Sequence, residues 1–391
     1  MEGQKIDLID NTLNKRELQR YARHLILPEI GWEGQNRLKH SRVLVVGAGG
    51  LGSPVVLYLA AAGVGVIGLA DADTVDESNL QRQIIYDTRD IGRSKTEAVR
   101  DRIAAFNPLS RVITFDAFLT SGNAMEVIRD FDVVVDCSDN FPTRYLVNDA
   151  CVLLDKPEVF GAVYRFEGQA SVFGAENGPC YRCFFTEPPE PETTRTCGGD
   201  GVLGVLPGVI GCIQATEAVK VLLGSATTLA GRLLLVDAWK MRFREIALRQ
   251  NPQCPICGTN PSIRELIDYW DFCGIRRDDD GEAIQHIDAA QLKELLAGEP
   301  RLQIVEVREP HEMELVELPN RLILPLNEVV RRQNEFDPAG VVVFVCKFGI
   351  RSESAVRLLQ DSGYRGKTCN LRDGLFSWLR EIERPAIGNG L

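Results

Sequence analysis

The sequence has no surplus of positive charge: 44 Lys and Arg stand against 55 Asp and Glu, a formal net charge of −11 over 391 residues. A polyanion is not drawn to such a chain from a distance, so no nucleic acid and no membrane surface is expected as a partner. The start, Met1-Glu2-Gly3-Gln4-Lys5-Ile6-Asp7, lacks the apolar stretch of a secretory signal. No uncharged apolar run approaches the roughly 18 residues that a membrane-spanning helix needs. Internal repeats and low-complexity tracts are also missing. These absences make a soluble, cytoplasmic protein the expectation. The length exceeds what a single core usually fills, so two domains are expected.

Cysteine is what the sequence has in excess: 11, an odd number and high for a reducing compartment. A chain this long does not need disulfide staples, so metal ligation or thiol chemistry is the better expectation. Cys137, Cys151, Cys212, Cys273 and Cys369 stand alone in apolar or mixed stretches and read as small buried hydrophobes. The rest fall into patterns, taken up below.

Arg42-Val43-Leu44-Val45-Val46 reads as a buried strand running into Gly47-Ala48-Gly49-Gly50-Leu51-Gly52. A helical stretch from Ser53 to Ala62 and a second strand at Val66 to Asp71 complete a βαβ unit. Another strand, Phe131 to Asp136, ends in Cys137-Ser138-Asp139-Asn140. Strands apolar on both faces indicate a mostly parallel sheet covered by helices, a Rossmann-like α/β domain. Past residue 157 the segments shorten, and a strand at Arg232 to Asp237 with an alternating stretch near Met241 to Arg244 closes this region. The polar run around Arg276-Arg277-Asp278-Asp279-Asp280 reads as linker, with one short helix between Ile263 and Phe272. A second, small α/β pattern follows: a helix at Ala289 to Ala297, strands at Leu302 to Val305 and Val341 to Val345, and a helix ending near Asp361. The expected division is a first domain at 1–258, a linker at 259–283 and a second domain at 284–391.

Glycines at 47, 49 and 52 let the backbone turn tightly and bring amide N–H groups and a helix N-terminus to phosphate oxygens. Asp71 ends the next strand, where a carboxylate can accept ribose hydroxyls. At this point NAD(P), FAD and ATP are all open. Beyond the ribose position come Ser78-Asn79-Leu80-Gln81-Arg82-Gln83 and then Lys95. Two cations beside a polyphosphate suit a site where charge builds on the α-phosphorus, which hydride transfer does not require. Asp139, at the carboxyl end of a strand, suits an oxygen ligand of Mg²⁺.

At these residues, together with Arg20-Tyr21-Ala22-Arg23-His24, the chain closely resembles the MoeB/ThiF group, prokaryotic relatives of ubiquitin-activating enzymes. The resemblance spans residues 15 to 258. It implies a homodimer that adenylates the C-terminal glycine of a small β-grasp carrier protein of the MoaD/ThiS kind. Matched residue by residue, Gly50, Asp71, Ser78, Asn79, Arg82, Lys95, Asp139 and Asn140 would bind ATP and Mg²⁺, beside Gly47, Gly49, Gly52, Leu80 and Gln81 of the same segments. Arg23 would reach into the partner subunit's nucleotide site; spacing alone makes it a solvated helix residue.

Cys180-Tyr181-Arg182-Cys183 and Cys254-Pro255-Ile256-Cys257 are two C-x-x-C knuckles. Four thiolates at this spacing form a closed tetrahedral Zn²⁺ site without an open catalytic position. Two independent redox dithiols in one domain compete less well.

Cys346-Lys347-Phe348-Gly349-Ile350-Arg351-Ser352 joins a buried strand to a helix. Inward-pointing N–H groups and the helix N-terminus favour an anionic sulfur there, with charge from Lys347 and Arg351. The loop is shorter between Cys and Arg than a phosphate-cradling phosphatase loop, and suits a terminal persulfide. From Ile284 to Ala386 the segment resembles the rhodanese family, through Val305 to Glu312 and Asp373 to Trp378 as well. It departs from that family at Glu306, usually Asp, and at Leu318-Pro319-Asn320, usually a glycine-rich turn. Cys197 lies in a glycine-rich stretch between the first knuckle and Gly204. In the MoeB/ThiF group a cysteine there works on a crossing loop near the adenylate.

Adenylation fused to persulfide chemistry gives one economical sequence. ATP and a carrier ending in Gly-Gly yield the acyl-adenylate. Cys346, loaded by a cysteine desulfurase or thiosulfate, attacks it as persulfide. Cys197 then releases the thiocarboxylate. Molybdopterin synthesis is the commonest use of the resembling group, and other sulfur-containing metabolites are open. Competing readings are a protein-conjugation activator working through a Cys197 thioester, a Rossmann oxidoreductase, and a non-catalytic scaffold.

Overall fold

The computed structural model describes residues 13–175, 178–189, 201–274, 284–308, 318–319 and 321–383. The chain divides into two compact units, Met1–Ile275 and Arg276–Leu391.

In the first unit β1 (Arg42–Val46), β2 (Val66–Ala70), β3 (Arg111–Phe115), β4 (Val133–Asp136), β5 (Glu158–Tyr164), β6 (Glu167–Phe173), β7 (Arg232–Asp237) and β8 (Arg242–Ala247) form one sheet. Their order is β3-β2-β1-β4-β5-β6-β7-β8. The sheet is parallel from β3 to β5 and antiparallel from β5 to β8. The unbroken apolar run of β1 has a direct cause. Val43 and Val45 enter one core with the helices Gly52–Ala62 and Leu206–Leu222, while Leu44 and Val46 enter another with Phe141–Leu153. Both faces are covered, so neither can alternate with polar residues. The antiparallel part is different: every residue of β8 is exposed. Strand order reverses at β1, between β2 and β4, so the loops after β1 and β4 open onto the crevice where ligands of such sheets bind.

Residues 259–274, read from composition as linker, belong to the first unit. The helix there is short, Tyr269–Phe272, with Asp268 accepting from the Trp270 and Asp271 N–H groups. Tyr269 and Cys273 are buried in the β4 core, with Leu266, Ile267 and Phe272 packed against it. Tyr269, Phe272 and Cys273 are spaced to share one helix face. The short helix expected between Ile263 and Phe272 forms only over Tyr269–Phe272, and its docking on the first unit was not foreseen.

The second unit is a sheet of β9 (Gln285–Ile287), β10 (Leu302–Glu306), β11 (Arg321–Ile323), β12 (Val341–Val345) and β13 (Lys367–Leu371). The order is β11-β10-β12-β13-β9, and every pair is parallel. Central β12 again divides its residues. Val341, Val343 and Val345 face one core, and Val342, Phe344 and Cys346 the other. The helix Ala289–Gly298 begins at a capping box of Asp288 and Gln291, and Ile350–Asp361 begins at left-handed Gly349. Both units are mostly parallel α/β.

Candidate functional site

The glycine loop after β1 is tied to its neighbours by backbone. Gly47 N–H donates to Ala70 C=O at 2.9 Å, and Cys137 N–H donates to Val46 C=O at 2.8 Å. Gly47 has φ +96°, and a Cβ there would lie 2.8 Å from the Cys137 carbonyl oxygen. A Cβ on Gly52 would clash with the Gly47 carbonyl, so these two positions admit only glycine. Gly49 faces open space, its nearest neighbour the Gln83 amide nitrogen at 3.7 Å from where a Cβ would stand. Backbone there can approach a phosphate.

Asp71 is placed under this loop. One carboxylate oxygen accepts from Ala48 N–H at 2.7 Å and the other from Asp73 N–H at 2.8 Å. Burial pushes the Asp71 carboxyl up, and Lys95 pulls it partly back. Each oxygen keeps lone-pair capacity for a hydroxyl. The Tyr86 hydroxyl donates to Ala48 C=O at 2.8 Å, a support that sequence reading missed, because a lone Tyr in a polar stretch carries no local signal.

The following segment folds on itself. Asp76 accepts from Ser78 N–H at 2.8 Å, and Asn79 from Asp76 N–H at 3.3 Å. The Arg82 guanidinium donates to Ser78 C=O at 3.0 Å. A Cβ on Gly50 would meet Pro207 at 3.0 Å and the Arg82 stem at 3.6 Å, so Arg82 borders the glycine loop. Leu80 packs partly into the β1 core, and a Cβ on Gly204 would clash with Gln81. Lys95 is buried at the start of the helix Lys95–Phe106 and pairs with the half-exposed Asp73 at 2.7 Å. Asp73 was not singled out from sequence.

After β4, Asp136 is fully buried and accepts from Ser138 N–H at 2.9 Å. Asp139 is exposed, and Asn140 caps the helix Phe141–Leu153 by accepting from Thr143 N–H at 2.9 Å. Arg23 is exposed on Ala22–Leu25. Among the described residues no hydrogen bond or ion pair joins Arg23 to this loop of its own chain. Cys197 lies outside the described residues.

The two knuckles meet. Cys180 Sγ lies 3.9 Å from Cys183 Sγ and 3.5 Å from Cys254 Sγ, and Cys183 Sγ lies 3.3 Å from Cys257 Sγ. All four sulfurs fall within 4.8 Å of one another, a cluster that could hold a metal ion. Asn251 N–H donates to Cys183 Sγ at 3.3 Å. Hydrogen bonding from Cys180 pulls the Cys183 thiol down to about 6. Arg182, inside the first knuckle, points the other way. It forms a buried bidentate pair with Asp149 at 2.7 and 2.8 Å, and the Tyr269 hydroxyl donates to the same carboxylate at 2.9 Å. Its guanidinium stacks over Tyr145 and Phe272, 4.7 and 4.4 Å from the ring centroids. The lone cysteines Cys137, Cys151, Cys273 and Cys369 are buried as expected, whereas Cys212 is half-exposed.

In the second unit, Cys346 directly follows β12 and is 2% exposed. Its sulfur accepts from Gly349 N–H at 3.2 Å and from the Ser352 hydroxyl at 3.3 Å. That hydroxyl also lies 3.0 Å from Gly349 C=O. It has one proton, and an anionic sulfur is the stronger acceptor. Lys347 and Arg351 are half-buried on the same loop. Glu306 is fully buried and takes two cations, Arg308 and, at 2.5 Å, Arg321. Residues 309–317 and 320 lie outside the described residues.

Residues 21–256 match the ThiF family. A sulfur carrier protein adenylyltransferase of Thermus thermophilus is 55% identical over 267 residues, 67% of this chain and 98% of the relative. The chain belongs to the ThiF family. A rhodanese-like domain matches residues 288–381. The adenylyltransferase/sulfurtransferase MoeZ of Mycobacterium tuberculosis is 42% identical across 96% of both chains, so the joining of the two domains is shared along nearly the whole length. A solved structure of E. coli MccB with ATP is 21% identical, covering 63% of this chain and 75% of that one at a TM-score of 0.56. That likeness gives the fold of the ThiF domain. This ThiF-family chain is an adenylyltransferase that also carries a sulfurtransferase domain, and ATP use follows from the family.

Proposed function

We propose that the chain activates the C-terminal glycine of a small β-grasp sulfur-carrier protein and then replaces an oxygen of that carboxylate with sulfur. In the first step a carrier carboxylate oxygen attacks the α-phosphorus of ATP, forming the acyl-adenylate as the bond to pyrophosphate breaks. Arg82 and Lys95 neutralise charge on the phosphates, Lys95 leaving Asp73 to do so, and Asp71 holds the ribose. Gly47, Gly49, Gly50 and Gly52 offer backbone to the phosphates, and Ser78, Asn79, Leu80, Gln81 and Asn140 complete the wall. Asp139 would hold Mg²⁺, which supplies charge neutralisation at the phosphates. In the second step the Cys346 persulfide attacks the acyl carbon and AMP leaves. A Cys197 thiolate then attacks the Cys346 sulfur, releasing the carrier thiocarboxylate and leaving a Cys346–Cys197 disulfide for a thiol reductant. The outer sulfur comes from a cysteine desulfurase or thiosulfate.

What carries this reading is the Cys346 cradle. Two donors, the Gly349 N–H and the Ser352 hydroxyl, converge on its sulfur, an arrangement suited to a sulfur nucleophile that carries a terminal persulfide. Cys180, Cys183, Cys254 and Cys257 fit structural zinc: thiolates bonded at about 2.3 Å in a tetrahedron sit about 3.8 Å apart, near the spacings seen. A homodimer is supported by the apolar groove of Tyr58, Ile84, Phe106, Val205, Val209 and Cys212, which a monomer would leave to water. Arg23 would act across that interface.

The test is the mass of the carrier's C-terminus after incubation with ATP, Mg²⁺, a sulfur donor and this chain. Exchange of oxygen for sulfur is expected. Pyrophosphate release with an unaltered carrier mass would sink the sulfur-transfer half of the reading.

A further inference from the structure

The rim of the Cys346 loop is aromatic, and sulfur chemistry by itself does not require that. Phe348 belongs to the loop and Phe376 to the helix Gly374–Trp378, with ring centroids 5.6 Å apart and planes at 35°. Backbone fixes the pair. Leu375 and Phe376 N–H groups donate to the Cys346 and Lys347 carbonyls at 2.8 and 3.2 Å. The helix comes this near only because residue 374 is glycine: a Cβ there would clash with the Cys346 carbonyl. Phe376 is left 43% exposed beside a loop whose cysteine is almost entirely covered. The Lys347 ammonium lies 5.1 Å from the Phe348 ring centroid, which orders that ring and keeps a cation at the rim.

We propose that Phe376, with Phe348, grips the carrier's C-terminal tail during sulfur transfer and so selects a peptide acceptor over small ones. This rests on the reading in the preceding subsection. The reacting carbonyl must reach a buried sulfur, so the last residues of any carrier have to cross this rim. A Gly-Gly tail has no side chains to bury, and what it presents is flat amide planes and a carboxylate derivative. Aromatic faces suit the planes, and Lys347 suits the nearby phosphate of the adenylate. Thiosulfate and cyanide, small anions, need only the cation and the loop amides, and gain nothing from one exposed and one half-buried ring.

The experiment uses the full chain with Phe376→Ala and Phe376→Trp. As probe it takes a small β-grasp protein ending in Gly-Gly that supports pyrophosphate exchange by the wild type. Phe376→Ala should keep thiosulfate-to-cyanide transfer within about twofold and leave pyrophosphate exchange unchanged. Its KM for the carrier in thiocarboxylate formation should rise about tenfold, the scale of one lost aromatic contact. Phe376→Trp should restore it. Equal loss in the thiosulfate assay would make the ring a packing residue and overturn the proposal, as would an unchanged carrier KM. A wild type that exchanges pyrophosphate yet forms no thiocarboxylate overturns the parent reading as well, and shows this before any variant is made.

Discussion

At the four-cysteine cluster sulfur meets sulfur, four atoms within 4.8 Å with one backbone donor on Cys183, whereas the Cys346 sulfur accepts from a backbone N–H and a hydroxyl. The difference lies in what balances the charge. Four neighbouring thiolates repel one another and need a cation among them, which leaves none reactive. A single sulfur with no thiol neighbour to share a metal with keeps its lone pairs free for attack. On the proposed reading the same element would hold the fold in one unit and transfer an atom in the other.

The comparison breaks first at its strongest point. Cys346→Ala should lower thiocarboxylate formation by at least about 10³-fold, as loss of a nucleophile does, with pyrophosphate exchange, metal content and thermal midpoint unchanged. Retained thiocarboxylate yield would mean that another sulfur carries the transfer. Cys254→Ala should do the reverse, releasing the metal and costing at least about 4 kcal/mol in chemical denaturation. A metal-free variant of undiminished stability would remove the structural role. The donors sharpen the contrast: Ser352→Ala should slow thiosulfate-to-cyanide transfer about tenfold, one charge-assisted hydrogen bond's worth, without touching stability.

A smaller effect concerns burial that has no partner at all. Glu158 is fully buried on β5 with neither carboxylate oxygen hydrogen-bonded, and burial, with Asp136 nearby, raises its carboxyl well above the ordinary 4.5. The folded state therefore keeps a proton that the unfolded chain gives up. Stability falls as pH rises from 4.5 through the raised value. Glu158→Gln should flatten that slope and gain about 1 kcal/mol at alkaline pH. Parallel pH curves for the two proteins would refute it.

Local features were legible in the sequence. β1, the glycines at 47, 49 and 52, Asp71 at a strand end and the Cys346 loop are each declared by residues adjacent in the chain. The two knuckles were legible as a pair because one metal site accounts for their spacing better than two independent redox dithiols do. Long-range partnerships were not. Asp149, Arg182 and Tyr269 are far apart in sequence, and Arg182 reads merely as knuckle filler until its bidentate carboxylate is seen. Tyr86 and Asp73 act on backbone or on a side chain more than twenty positions away. Of the antiparallel strands, β7 was read at Arg232 to Asp237 and β8 as an alternating stretch, whereas β5 and β6 were visible only as a change of texture.

Arg182 sits between Cys180 and Cys183, two of the four candidate metal ligands, and its guanidinium and its partner Asp149 also hold Phe272 and Tyr269. Chelation would therefore do more than soften a knuckle. It would loosen the anchorage of residues 259–274 on the first unit, whose Tyr269 and Cys273 are buried there. An ion far from any reacting atom would then decide how much of the chain belongs to the first core.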